Sequence, residues 1–282
     1  MSRVAIVTDS ASDLTLEQAA AADITIVPLI VTFGDESFKA GTELPIDDFY
    51  RRLLAPDAPF PTTAACSPGA FQQTFESLLD AGAEAVVCIT VGGKLSGTNT
   101  AARIARDAMP GRPVHVVDSE TATASLLLLA QVAAEASAAG ASAEDIVALV
   151  KLRMADTRVY FVVDTLEYLR RGGRISAAQA AIGSVLSVKP VITIADGVVE
   201  TVDKPRTMGK ARARLLELLT AEPVERIAVI HTQAPGVQAF AADLAQALAV
   251  PIEKVSINLV GSSVAPHIGP GAYGAAVFVR RS

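Results

Sequence analysis

Ala85-Val86-Val87-Cys88-Ile89-Thr90, followed by Val91-Gly92-Gly93-Lys94-Leu95-Ser96-Gly97-Thr98, is the stretch whose reading settles the fold class. An uncharged, largely β-branched run of this length reads as a strand buried on both faces, the kind found in parallel sheets covered by helices. The glycines end it, and a helical pattern follows toward Met109. Outward in both directions the same alternation recurs. Val4 to Thr8, Ile24 to Phe33 and Val114 to Val117 read as further strands, separated by alanine- and leucine-rich helical patterns. The helix starts are legible. Thr15 with Gln18, and Ser142 with Asp145, have the spacing of capping boxes, and Ser67 before Pro68 sets an N-cap ahead of proline at the first helical position. A long helix over Ala122 to Ala139 ends at Gly140.

Near Arg158 the rhythm changes. Val159 to Val163 reads as a strand, Asp164 and Glu167 open a short helix that Gly172-Gly173 stops, and Ser176 with Gln179 opens another. Pro190 to Ile194 and Val198 to Val202 flank Asp196-Gly197, a hairpin signal, because both central residues of such a turn need positive φ. A helix from Pro205 to Leu219, a strand Arg226 to Ile230 and a helix Val237 to Leu248 follow. Strands are expected near Ile252 to Ile257, Val260 to Ala265 and Ala272 to Val279. The expected fold is α/β with two domains: an α/β/α parallel-sheet domain over 1–160 and a smaller α/β mixed-sheet domain over 161–282. A ligand cleft is expected between them, where such sites tend to lie.

Composition excludes several functions. Of 282 residues, 24 are Lys or Arg against 30 Asp or Glu, a net charge of −6, so the cationic field that neutralises a phosphate backbone is missing. With no Trp, 4 Tyr and 9 Phe, aromatic platforms for single-stranded bases are scarce too, and no nucleic-acid partner is expected. Apolar content is 51% and mean hydropathy +0.40. The most apolar stretches are nevertheless broken at Gln131 and Pro28, short of the ~20 residues of a bilayer span, so no stable membrane insertion is expected. The apolar run after Met1 meets Asp9 too soon for a secretory signal, and a cytoplasmic location is expected. Cys66 and Cys88 form no ligand-spaced cluster and the three His are not adjacent, so neither a metal nor a disulfide framework is expected.

Four segments carry possible chemistry. Thr8-Asp9-Ser10-Ala11-Ser12-Asp13 leaves the first strand at the sheet edge where ligands bind. An Asp nucleophile would want a second Asp at position 11, which is Ala, so the segment reads as a turn in which Asp9 and Ser10 bond loop amides. In Gly92 to Thr98 the phosphate-loop spacing fails, yet a glycine turn entering a helix leaves N–H groups free for an anion. Ser96 there reads equally as a helix cap. Gly269 to Gly274 matches Gly-x-Gly-x-x-Gly only formally, since the chain ends without the helix and acidic residue of a dinucleotide site. Beside it, His267 sits among Pro266, Gly269 and Pro270, which would orient its ring; it is either a surface residue or a fixed donor. Arg206 opens a helix whose dipole disfavours a cation, hinting at an anionic partner. Arg170-Arg171-Gly172-Gly173-Arg174 reads as a solvated loop or as the rim of an anion site. His115 and His231 read as strand residues, and neither Cys has a base beside it.

These motifs, together with Leu95-Ser96-Gly97-Thr98, Val117-Asp118-Ser119, Leu166-Glu167-Tyr168-Leu169, Gly172-Gly173-Arg174-Ile175-Ser176, Lys189-Pro190 and Gly269-Pro270-Gly271, make the chain resemble the DegV family over its whole length. The resemblance implies a two-domain fold related to dihydroxyacetone kinase domains and a long-chain fatty acid such as palmitate buried between the domains. It implies no cofactor and no catalysis by the chain itself. A separate ATP-dependent fatty acid kinase subunit would convert the bound carboxylate into an acyl phosphate. The family's carboxylate-binding threonine and serine match Thr63 and Ser96 here, with Gly93 and Gly97 as the supporting loop. Its turn histidine and second-domain arginine match His267 and Arg206, with head-group or kinase-contact roles. This chain departs from the family in Ala64-Ala65-Cys66 and in Gly92-Gly93, where Ser-Gln-Pro and serines are usual. The competing reading is an independent phosphotransferase or hydrolase using Asp9, Asp118 or His267.

Overall fold

The computed structural model describes residues 4–175 and 188–280; the helix expected to open at Ser176 with Gln179 lies outside them. Strands β1 (Val4–Asp9), β2 (Ile24–Val27), β6 (Ala85–Thr90) and β7 (Val114–Asp118) form a parallel sheet in the order β2-β1-β6-β7. Alternation along each strand divides its two faces. Ala5, Val7, Val86 and Cys88 pack with Phe71 and Phe75 of α3 (Pro68–Asp80) and Ala102 of α4 (Thr98–Asp107). Val4, Ile6, Val87 and Ile89 face the other way, onto α5 (Thr123–Ala138) and α6 (Ala143–Asp156).

The chain then builds a mixed sheet of six strands. It comprises β8 (Thr157–Val162), β9 (Val191–Ala195), β10 (Val198–Asp203), β11 (Val224–His231), β12 (Ser256–Leu259) and β13 (Tyr273–Val279). Their order is β10-β9-β8-β13-β11-β12, and β11–β12 is its parallel pair. The outer face is covered by α8 (Met208–Leu219) and α9 (Val237–Ala247), through Leu215, Phe240 and Leu244. The inner face presents Val159, Phe161, Ile230 and Phe278 to α5. Over Leu126 to Ala134 that helix is apolar on nearly every face, Gln131 excepted, because it is wedged between the two sheets. Glu135 receives two hydrogen bonds from Arg226 of β11, tying the wedge to the second sheet.

The α/β class stands as expected, and several local expectations are corrected. Ile24 to Phe33 is not one strand. Pro28 has no N–H to continue the ladder, Leu29 N–H donates to Ser10 Oγ at 2.9 Å, and the chain turns into β3 (Ile30–Phe33). There it pairs antiparallel with β4 (Glu36–Lys39) and β5 (Thr62–Ala64) in a small separate sheet. Val260 to Ala265 is not a strand either. Val260 C=O accepts from Tyr50 Oη at 2.8 Å and Gly261 N–H donates to Asp13 at 2.8 Å, so the backbone groups a ladder would use are claimed, and a short helix α10 (Ala265–Ile268) follows. The strand expected near Ile252 is a 3-10 turn, Ile252–Lys254, with pairing delayed to β12. The helix expected from Pro205 starts at Met208, capped by Thr207, whose Oγ1 accepts from Lys210 N–H. The break expected between residues 160 and 161 falls within β8.

Candidate functional site

In the order β2-β1-β6-β7 the chain departs from β1 toward opposite edges, so β1 and β6 flank the switch point of the parallel sheet. The loops leaving their carboxyl ends are Asp9–Asp13 and Val91–Thr98. Asp9 joins them: Oδ1 accepts from Ala11 N–H at 2.9 Å and Oδ2 from Val91 N–H at 2.7 Å. Burial lifts its carboxyl to about 7, against the pull of those two amides. Both oxygens are thus engaged in holding loops, as the turn reading of this segment expected. Asp118 is engaged likewise, accepting from Gly93 N–H at 3.0 Å and Glu120 N–H at 3.0 Å. A Cβ at Gly93 would stand 2.6 Å from Asp118 Oδ2, so a larger residue there would displace that carboxylate.

Below these loops, between the two sheets, lies a cavity with about 590 Å³ free of atoms, counting the part open to solvent. Its wall is mainly apolar, with Leu29, Val91 and Leu95 from the first half and Phe161, Ile194 and Val199 from the second. The polar side chains on the wall are Thr63, Ser96, Thr123, Arg174, Ser263 and His267.

Three expected site residues therefore meet at one cavity. Thr63 is placed by pairing with Val31 in the small sheet, and its Oγ1 lies 2.8 Å from His267 Nε2. Ser96 hydrogen-bonds Thr98 Oγ1 at 2.9 Å and accepts from Thr98 N–H at 3.3 Å, so it lines the cavity and tethers the first turn of α4 as well. Gly97 is the N-cap residue of that helix. Arg206 is exposed, precedes α8 and does not line the cavity.

His267 is held by interlocking glycines. Helix α7 (Glu167–Arg171) packs on α10, where a Cβ at Gly172 would meet His267 Nδ1 at 2.2 Å and one at Gly269 would meet the Tyr168 ring at 2.3 Å. Burial and the charge of Arg174 hold the imidazole down at about 4, so it is neutral near pH 7. A neutral ring can exchange donor and acceptor roles with Thr63 without adding charge. Arg174 carries the positive charge at the wall. Its Nε donates to Leu95 C=O at 3.1 Å and its Nη1 to Gly172 C=O, and burial lowers its proton affinity. Both described partners are neutral carbonyls.

Of the residues not expected as ligands, Arg174 stood in a cationic run that a rim could use. Ser263 and Thr123 left no sequence signal. Ser263 Oγ lies 2.6 Å from Ser10 Oγ across 253 positions, and Thr123 holds a φ of 55° with Oγ1 buried and unpaired. Cys66 and Cys88 are buried, and burial drives both thiols well above their ordinary range, which denies them a thiolate. No helix among the described residues is long and apolar enough to cross a membrane. No grouping of His, Cys, Asp and Glu suited to a metal occurs among them either.

Comparison with known proteins extends this picture. The family model described as "Uncharacterised protein, DegV family" matches residues 3–280. A DegV domain-containing protein of Streptomyces coelicolor is 39% identical over 285 residues, spanning 99% of this chain and 100% of its own. Among solved structures, a Thermus thermophilus DegV family protein described for its fatty acid binding superposes with TM-score 0.88 at 33% identity, covering 99% of this chain and 100% of the other. A stearic acid-binding protein of Eubacterium ventriosum superposes with TM-score 0.89 at 28% identity, covering 98% of both. With a family model matched almost end to end and full-length relatives on the same two-sheet frame, this chain belongs to the DegV family.

Proposed function

We propose that this protein binds a long-chain fatty acid such as palmitate, encloses its tail between the two sheets, and presents the carboxylate to a separate ATP-dependent kinase that makes an acyl phosphate. The observation that carries this reading is a guanidinium, Arg174, with only carbonyls as described partners, on the wall of an otherwise apolar bore beside Thr63, Ser96 and His267. An anion with a long apolar tail complements both features. A sixteen-carbon chain offers roughly 11 kcal/mol of gross burial at ~0.8 kcal/mol per methylene, before the costs of association. An unpartnered carboxylate would cost several kcal/mol. Hydroxyls of Thr63 and Ser96 and the charge of Arg174 offset that cost and orient the head. Neutral His267 braces Thr63.

On this reading the chain is the non-catalytic subunit. A carboxylate oxygen attacks the terminal phosphorus of ATP held by the kinase, and ADP leaves. Exposed Arg206 serves as a contact for that kinase rather than for the head group. Two buried free thiols suit a cytoplasmic setting. The competing phosphotransferase or hydrolase reading has less to work with, since Asp9 and Asp118 spend their oxygens on loop amides.

Native mass spectrometry of protein expressed in bacteria tests the proposal. The expected mass includes one co-purified acyl chain, and the extracted protein alone shows no phosphatase or kinase turnover. Protein that neither retains nor takes up fatty acid would overturn it. Thr63→Ala or Ser96→Ala should weaken retention about tenfold, as loss of a charge-assisted hydrogen bond does; unchanged retention in both removes the head-group assignment.

A further inference from the structure

Resting on the lipid-binding reading, we propose that Ile194 is the partition that sets the preferred acyl-chain length, and that the groove outside it receives the methyl end of longer chains. Ile194 lies in β9, next to the turn Asp196-Gly197. Among the described residues it lines both the inner cavity and a second, outer groove. That groove has about 1170 Å³ of free space, counting the part open to solvent, and runs between the loop after β7, the end of α6 and the β8–β9 strands. Leu129, Met154 and Val159 contribute apolar surface to it, and Lys151 and Arg158 stand at it as cations. Ile194 is thus the lining residue that the inner cavity and the partly apolar groove have in common.

The partition is held in register with the head-group site. Lys94 Nζ donates to Asp196 C=O at 2.8 Å, and a Cβ at Gly197 would stand 3.5 Å from the Lys94 side chain. Lys94 belongs to the loop that carries Ser96, so the β9–β10 hairpin is latched to the loop that grips the carboxylate. On this proposal the methyl end of the bound chain meets the side chains of Phe161, Ile194 and Val199, which line the same cavity as Ser96. A chain that fits inside gains about fourfold in affinity per methylene buried, whereas one that must press past the Ile194 side chain into the groove gains less per carbon. Shortening that side chain removes the penalty for the surplus carbons.

The test loads the full chain with an equimolar mixture of saturated acids from fourteen to twenty carbons and reads the bound distribution by native mass spectrometry. Ile194→Ala should raise the bound twenty-to-sixteen-carbon ratio about tenfold, in line with one or two extra methylenes buried. Ile194→Phe should lower it. In wild-type protein, a twenty-carbon acid with a diazirine at its methyl end should crosslink to the segment 154–160, and a fourteen-carbon one to the inner wall. Unchanged ratios in both variants with fatty acid still retained, or long-probe crosslinks confined to the inner wall, would overturn the partition alone. Should Ile194→Ala fail to fold, the wild-type crosslinks decide. Wild-type protein that retains no fatty acid removes both this inference and the lipid-binding reading.

Discussion

Gly269 has a φ of 80°, and a Cβ built on it would sit 2.3 Å from the Tyr168 ring. Gly269→Ala therefore incurs backbone strain and a clash together, expected to cost about 1–3 kcal/mol in urea unfolding and, on the proposed function, to loosen fatty acid retention by shifting His267. Asp13 gives a pH dependence with a definite sign. Burial pushes its carboxyl up to about 8 from an ordinary 3.8, against the lowering effect of the Gly261 amide. Between these values the folded protein holds a proton that the unfolded chain has lost. The contribution to stability is complete below pH 3.8, shrinks as pH rises and is gone above about 8. Asp13→Asn keeps an acceptor for Gly261 and should flatten this component of the stability-versus-pH curve; a curve parallel to wild type would refute it. Glycine-proline turns around His267 were visible in the sequence as orienting devices. The partner they orient it toward was not, because Thr63 lies 204 positions away.

At the scale of elements, α5 carries the arrangement. Its apolar residues touch both sheets, and Leu126, Leu127 and Leu129 are almost wholly buried. Leu126→Ala should cost about 2–5 kcal/mol, since neither sheet can collapse into the space left without moving the other. A loss under 1 kcal/mol in urea melts at constant m-value would show that α5 is not wedged as described. The helix was legible as a helix from its Ala/Leu pattern and Gly140. Its position was not. A helix apolar on nearly every face states only that those faces are covered, and which elements cover it depends on how the chain returns. The hairpin over Asp196-Gly197 was also legible, because the turn residues adopt the positive φ that its geometry demands, 48° and 74°. By contrast, Val260 to Ala265 has strand-like composition, but bonds from Tyr50 and to Asp13 override it.

For the molecule as a whole, the largest core cluster runs from Val4 to Phe278 and includes residues of both sheets. Heat should therefore unfold the protein in one transition with no stable half. If a fatty acid at a hundred times its Kd occupies the bore, it adds about 2.7 kcal/mol, a rise in Tm of about 5 °C or more over extracted protein. Two separated transitions in calorimetry would show that the halves fold independently. The primary sequence by itself determined the α/β class and most strands and helix caps, because periodicity, capping and turn chemistry act within a few residues. The tertiary structure alone decided that α5 lies between two sheets, that Ile24 to Phe33 splits across two of them, and that Thr63, Ser96, Arg174 and His267 share one wall. Those outcomes rest on contacts between distant segments, which are selected by packing and by the need to satisfy buried backbone groups, and neither is written in any local stretch.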